Sequence, residues 1–355
     1  FKKQSEIKLK KMKKVSNALI LGCGSIGQRH IKNLKSIGVK SIYALRSRKG
    51  YHKNLDDTLD VLEIDNWNEV AKLKPDIAII SNPTSLHLET AMKLSPHVKG
   101  IFMEKPLSNS LEGVDKLKTE IKNNKNVFFM GHNLMFHPII KNIKEFINSN
   151  ELGKILNIQC QVGQWLPDWH PYEDYKKAYF AKKNLGGGVA LTLIHEIHLA
   201  IELAGKPLEV CGMKSVSSLL NLESDIDVIS DTMIKHETGC ISQIHMDYIQ
   251  KPMHRSGTIT FERGWASYDF NENKIITQIS ENNKPEVLWS DNNYDVNKMY
   301  LKQLECFINY VEEHRISHSY DINGGIESLW VVESLSKSDK QKEIIINQEN
   351  NKFSL

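Results

Sequence analysis

No apolar run in this 355-residue chain reaches the roughly 18 residues that a membrane-spanning helix needs, so no membrane partner is expected. None of its five cysteines stands in a CxxC pair. That absence excludes a disulfide-stapled miniprotein. The odd, dispersed set of Cys23, Cys160, Cys211, Cys240 and Cys306 reads as reduced thiols, so a cytoplasmic location is expected. A charge excess of one sign is also missing: 46 basic residues stand against 43 acidic ones, a net of +3. A binder of phosphate backbones carries a clustered basic excess. Only the opening FKKQSEIKLKKMKK is so clustered, and no nucleic-acid partner is expected. That opening has no apolar stretch of the secretory-signal kind. Residues 1–14 are expected to form a basic tail outside the fold, with Met12 a more natural start.

What is present is globular. Hydrophobic residues make up 40% and charged residues 25%, which excludes a disordered or collagen-like chain. At about 150 residues per domain the length suggests two domains.

Asn17–Leu21 is a short apolar run of strand type, followed at once by Gly22-Cys23-Gly24-Ser25-Ile26-Gly27. Gln28–Ile37 then has helical apolar spacing, and Ser41–Leu45 reads as a second strand. A GxGxxG between strand and helix is the fingerprint of a dinucleotide site. Gly22 permits the tight turn, Gly24 lets the backbone approach a pyrophosphate, and Gly27 allows close helix packing. Ser25 and Ile26 stand at the helix start, where unpaired N–H groups face phosphate. An acidic residue about 20 positions on would take the ribose 2′-hydroxyl. Arg46, Ser47 and Arg48 stand there instead. They suit the 2′-phosphate of NADP, because arginine grips phosphate bidentately. The reading leans to NADP, with solvated loop arginines and NAD as the alternative.

The parallel-sheet pattern continues in Asp76–Ser81, Gly100–Met103 and Asn126–Met130. Ligands of doubly wound sheets sit at the carboxyl ends of strands. Ser81, Asn82, Pro83, Glu104, Lys105 and Asn133 fall at such ends, and His87 opens the helix after Pro83. All are candidates to line the cofactor.

In the second half, Lys154–Val162 alternates as a strand. Trp165, Asp168, Trp169 and His170 follow in an aromatic, polar loop, which fits either a sugar-binding surface or a packed loop. Gly186-Gly187-Gly188 allows a tight entry into one helix from Val189 to about Ala204. On it Thr192 and His195 are three residues apart and share a face, with Glu196 adjoining. HExxH is not satisfied by HEIH, so no metal is expected. In Gly239–Tyr248, His245 and Asp247 share a strand face; Arg255 and Trp265 fit either a site or an interface.

The segments LGCGSIGQRH, SNPTSLHLETA, MEKPLS, GHNLMFHP and GGGVALTLIHEIH, in this order and spacing, resemble the Gfo/Idh/MocA oxidoreductases. The likeness runs from about residue 15 to residue 345. GQWLPDWHPYEDYKKAYFAKKNLGGG further resembles a bacterial subgroup associated with surface-sugar biosynthesis. The resemblance implies an α/β fold with an N-terminal Rossmann doubly wound parallel sheet. It also implies a C-terminal α/β domain with a large, mostly antiparallel open sheet. The expected organisation is a tail over 1–14, the Rossmann domain over 15–131, a substrate and oligomerisation domain over 132–325, and a C-terminal helix and tail over 326–355. The resemblance implies hydride exchange between nicotinamide and a hydroxyl-bearing carbon of a sugar or cyclitol. It gives Lys105 a catalytic role and implies a cis Lys105–Pro106 bond. It also implies an aspartate and histidine pair after the glycine triplet, here Thr192 and His195. Thr192 departs from that pattern, as do His198, where aspartate is expected, and Met135, where arginine is expected. Threonine cannot hold a proton near neutral pH but can hydrogen-bond a hydroxyl. His195 remains a general base, with Glu196 available to compensate.

The expected protein is therefore an NAD(P)-dependent dehydrogenase or reductase acting on a sugar, cyclitol or nucleotide sugar. Because a wide sheet with one bare face needs a partner, it is expected as a homodimer or homotetramer. Two alternatives stay open: epimerase- or dehydratase-type chemistry through a transient keto sugar with retained cofactor, and a catalytically impaired dinucleotide-binding scaffold.

Overall fold

The computed structural model describes residues 14–47, 55, 57–171, 173–279 and 284–348. Arg48, one of the expected cofactor ligands, lies outside the described residues.

The first unit alternates strand and helix. Its elements are Asn17–Leu21 (β1), Ser25–Ile37 (α1), Ser41–Leu45 (β2), Leu62–Ile64 (β3), Trp67–Leu73 (α2), Ile77–Ile80 (β4), His87–Leu94 (α3), Gly100–Glu104 (β5), Val114–Asn124 (α4) and Val127–Gly131 (β6). The helix α1 stops at Gly38, whose φ of 95° is left-handed and costs glycine nothing. The strands are parallel in the order β3-β2-β1-β4-β5-β6. All four residues of β4 are buried, because helices cover both faces of the sheet. Strand order reverses between β1 and β4, so a crevice opens at their carboxyl ends.

The second unit begins with Pro138–Asn148 (α5), Ile155–Gly163 (β7), Val189–Thr192 (α6) and His195–Ala204 (α7). It continues with Pro207–Ser215 (β8), Ile229–His236 (β9), Ile241–Asp247 (β10), His254–Phe261 (β11), Gly264–Asp269 (β12), Lys274–Ile279 (β13) and Glu286–Ser290 (β14). Asn297–Glu312 (α8), Ile322–Gln341 (α9) and Ile345–Ile346 (β15) close the chain. The nine strands run β14-β13-β12-β11-β7-β10-β9-β8-β15, antiparallel except for the parallel β7–β10 pair. The expected pairing of a parallel doubly wound sheet with a large, mostly antiparallel one is present. One face of the second sheet packs on α5, α7 and α9 through Ile140, Ile158, Ile197, Ile244 and Leu335. Among the described residues the opposite face is bare: Gln159, Gln161, Asp231, Met233 and Gln243 alternate outward to solvent.

Two features depart from the expected organisation. The segment 132–325 contributes to both units, because α8 returns to the first sheet. Its Leu304, Phe307, Ile308 and Val311 join Ile31, Leu34, Phe102 and Phe129 in one buried cluster. Phe102 stacks on Phe129 at 5.6 Å, and Phe307 meets Phe102 edge-on at 5.6 Å. The helix expected from Val189 to about Ala204 is also broken. The segments Lys183–Thr192 and His195–Ala204 meet at a bend of 49°. An unbroken helix would bond the Glu196 N–H to the Thr192 carbonyl. Here that N–H reaches Leu193 instead, at 3.4 Å, and the Thr192 carbonyl is free for another donor.

Candidate active site

The glycine turn forms because its backbone must pass where no β-carbon fits. Gly22 has φ 93°, and a β-carbon there would overlap the Ser81–Asn82 backbone. A β-carbon on Gly27 would overlap the Gly22 carbonyl. Ser81 clamps the turn by donating to the Gly22 carbonyl at 2.7 Å. Gly24 has open space beyond its α-carbon and precedes α1 with no side chain capping the helix. Together with Ser25 and Ile26 it presents a cradle of backbone N–H groups that the helix itself does not use. A pyrophosphate fits that cradle.

The loops after β4 and β5 are tied together by His87. Its ring contacts the Asn82 carbonyl at 2.9 Å and the Pro106 carbonyl at 2.8 Å, so both nitrogens are committed to backbone. The expected cofactor ligand His87 thus positions Asn82, Pro83 and the Lys105 turn from beneath. Asn82 donates to Thr90 at 2.9 Å. Glu104 is held by His30 of α1 at 2.7 Å. Asn133 is buried, and its side-chain oxygen has no hydrogen-bond partner among the described residues.

The Lys105–Pro106 peptide is cis, as the resemblance implies. Lys105 projects from the first unit and donates to the Thr192 carbonyl at 2.6 Å. That bond uses the carbonyl freed by the helix break. Thr192 therefore meets Lys105 through its backbone, while its hydroxyl stands beside the Tyr248 phenol. The ammonium end of Lys105 is enclosed although the residue keeps a partly exposed edge. Burial lowers its pKa from 10.5 to about 8; Glu104 and Glu196 oppose the shift and Arg255 adds to it.

His195 is buried at the start of α7. Burial, then the Lys105 ammonium and the Arg255 guanidinium, hold its imidazole well below the ordinary 6.5. Its Nδ1 has no hydrogen-bond partner among the described residues. Among the described residues no carboxylate supports it, and the adjoining Glu196 is paired with Arg255 at 2.7 Å and 3.2 Å. Glu196, expected to compensate for Thr192 or to bind substrate, thus carries Arg255 as its partner. Two further imidazoles stand here: His198, noted in the sequence only as a departure from aspartate, and His132, to which the sequence reading gave no role. His132 stacks on His198 with ring centroids 3.4 Å apart, and edge-on to His195 at 6.3 Å. Both nitrogens of His132 are buried without a partner among the described residues. Its place beside Asn133 at the end of β6 was the available signal.

The aromatic loop is only partly drawn in. Trp169 meets Tyr248 and Phe180, each at 5.4 Å, and His170 lies against Phe180 at 6.1 Å. Lys251 covers the face of Trp165 at 3.6 Å, so that face is occupied. Asp168 is exposed. Arg46 is paired with Glu63 at 2.7 Å, and Ser47 is exposed. Among the described residues no cluster of three or more metal-ligating side chains occurs.

Residues 16–132 match the family profile described as an oxidoreductase family with NAD-binding Rossmann fold, and residues 140–267 match the GFO/IDH/MocA C-terminal domain. The chain belongs to the Gfo/Idh/MocA family. Its relatives include the myo-inositol 2-dehydrogenase of Thermotoga maritima, 25% identical over 240 residues, or 63% of this chain and 66% of that protein. The scyllo-inositol 2-dehydrogenase (NAD(+)) of Bacillus subtilis is 30% identical over 142 residues, 38% of this chain and 41% of that one. The chain thus spans less than two thirds of these relatives' lengths. A levoglucosan dehydrogenase solved with NADH and levoglucosan superimposes with a TM-score of 0.81 at 16% identity, over 93% of this chain and 99% of that one. The aldose-aldose oxidoreductase of Caulobacter crescentus gives 0.76 at 16% identity, over 94% and 99%. At such identity the structures show a shared fold. Within the Gfo/Idh/MocA frame the first unit is the NAD-binding Rossmann domain. Lys105 is bonded to the residue three before His195, and His132 lies edge-on to His195.

Proposed function

We propose that this protein catalyses nicotinamide-dependent hydride exchange at a hydroxyl or keto carbon of a sugar, cyclitol or nucleotide sugar. The observation that carries the reading is the 2.6 Å bond from Lys105 to the Thr192 carbonyl. It brings a cation from the first unit against the end of α6, three residues before His195, on the side of the dinucleotide crevice. When bound, the cofactor accepts or supplies hydride at its nicotinamide ring. Lys105, anchored by that carbonyl, donates a hydrogen bond to the reacting oxygen and stabilises negative charge as it develops there. His195, neutral at pH 7, takes the hydroxyl proton at a ring nitrogen in oxidation and returns it in reduction. A proton held there is held weakly, because burial and then the Lys105 and Arg255 cations disfavour a charged ring. His132, with both nitrogens unbonded, is placed to hydrogen-bond a substrate hydroxyl or a bridging water. The bare face of the second sheet supports self-association as a homodimer or homotetramer.

A panel of sugars, cyclitols and nucleotide sugars, followed by nicotinamide absorbance, tests the reading. Oxidation or reduction of at least one is expected, and Lys105→Ala should abolish it while cofactor binding persists. Undiminished turnover in that variant would remove Lys105 from the mechanism. The unsupported His195 favours a second reading, a cofactor-binding scaffold of impaired catalysis. Tight cofactor binding with no turnover across the panel would support it.

A further inference from the structure

The end of β2 carries no carboxylate, yet one stands beside it. In the β2–β3 ladder Ala44 lies opposite Glu63, and the Arg46 N–H bonds to the Ile64 carbonyl at 3.0 Å. Side chains two apart on a strand share a face, so Arg46 and Glu63 project to the same side of the sheet. They meet there as an ion pair of 2.7 Å. The Arg46 side chain is 4% exposed and that of Glu63 is 27% exposed. The anion, not the cation, is therefore the group presented to solvent at this corner. Strand β2 pairs in parallel with β1, with Leu45 opposite Leu21, so Arg46 and Gly22 leave the sheet side by side and the ion pair stands at the same carboxyl edge as the glycine turn.

We propose that Glu63, fixed in place by Arg46, is the carboxylate that accepts the adenosine ribose 2′-hydroxyl, and that the pair selects NAD over NADP. This rests on the cofactor reading above and replaces the lean to NADP drawn from Arg46, Ser47 and Arg48. A ribose hydroxyl donates to a carboxylate in a charge-assisted bond. A 2′-phosphate placed there meets like charge, and it can recruit Arg46 only by displacing Glu63 from a largely buried guanidinium. The selectivity thus comes from a strand of three residues. It does not come from the position after β2 where a carboxylate is customarily sought.

The test is a pair of fluorescence titrations, NADH and NADPH, against the wild type and against Glu63→Gln, Glu63→Ala and Glu63→Asp, with no substrate present. The wild type should bind NADH more tightly than NADPH by about tenfold or more. Glu63→Gln and Glu63→Ala should each weaken NADH by about tenfold and strengthen NADPH, by freeing Arg46 for the 2′-phosphate. Glu63→Asp, which keeps the charge, should keep the preference. A wild type that prefers NADPH would overturn the inference, as would an NADH-to-NADPH ratio unmoved in both uncharged variants. Failure of the wild type to bind either dinucleotide would overturn the cofactor reading itself, and the inference with it.

Discussion

Replacing Lys105 with methionine should abolish turnover and at the same time stabilise the fold. The ammonium is enclosed and among the described residues has one hydrogen-bond acceptor, the Thr192 carbonyl at 2.6 Å. A fall in pKa from 10.5 to about 8 means that folding disfavours the charged form. At about 1.4 kcal/mol per unit, the cost at pH 7 is at most about 3.4 kcal/mol. Methionine removes that cost but forfeits the bond to Thr192, worth about 1 kcal/mol, and solvent at the exposed edge of Lys105 trims the gain further. A net stabilisation of about 2 kcal/mol remains. The sign carries a pH signature. The wild type bears the full penalty below pH 8 and sheds it between about 8 and 10.5 as the lysine loses its proton in the unfolded chain too. Urea unfolding of both proteins at pH 7, 9 and 10.5 reads the difference, provided the two share a denaturant slope. The variant should lead by the widest margin at pH 7, and the margin should close at the highest pH. A variant less stable at pH 7, or a margin that ignores pH, would refute the claim that the site stores an unfavourable buried charge.

Other consequences can be checked separately. If the ammonium is the working form of Lys105, kcat/KM for oxidation should be level from pH 6 to about 8 and fall above it; a rate that climbs through pH 9 would make the neutral amine the base. Gly22→Ala forces φ 93° on a residue with a β-carbon and overlaps the Ser81–Asn82 backbone. A loss of about 1–3 kcal/mol from the backbone alone and failure of NADH binding are expected, by denaturant midpoint and fluorescence titration. Glu196→Gln leaves the Arg255 guanidinium without its counter-charge and should cost about 3 kcal/mol, whereas the double change to methionine at both positions should recover most of it. Equal losses in the single and double variants would show that the pair is not coupled.

Local demands were readable from the sequence, and long-range ones were not. The glycine turn announces itself because the steric reason for Gly22 and Gly27 lies within one strand–turn–helix unit. The strand-end residues Asn82, Glu104, Lys105 and Asn133 follow from the same local pattern. The break between Thr192 and His195 is invisible there, because the apolar spacing runs through it and the bond that uses the freed carbonyl comes from Lys105, 87 positions away. Glu196 looked available because its partner Arg255 stands 59 residues later, on a strand. Arg46 looked like a free phosphate ligand because β3, only three residues long, gives no periodicity to mark Glu63 as its neighbour.

The return of α8 to the first sheet has a practical result for anyone dividing this protein. A truncation that stops before Asn297 would strip Leu304, Phe307 and Val311 from Phe102 and Phe129, leaving aromatic rings open to water. The dinucleotide unit is thus a discontinuous object, assembled from both ends of the chain. Its isolated N-terminal fragment is a candidate for aggregation, and a faithful minimal version would have to splice α8 back on by a linker.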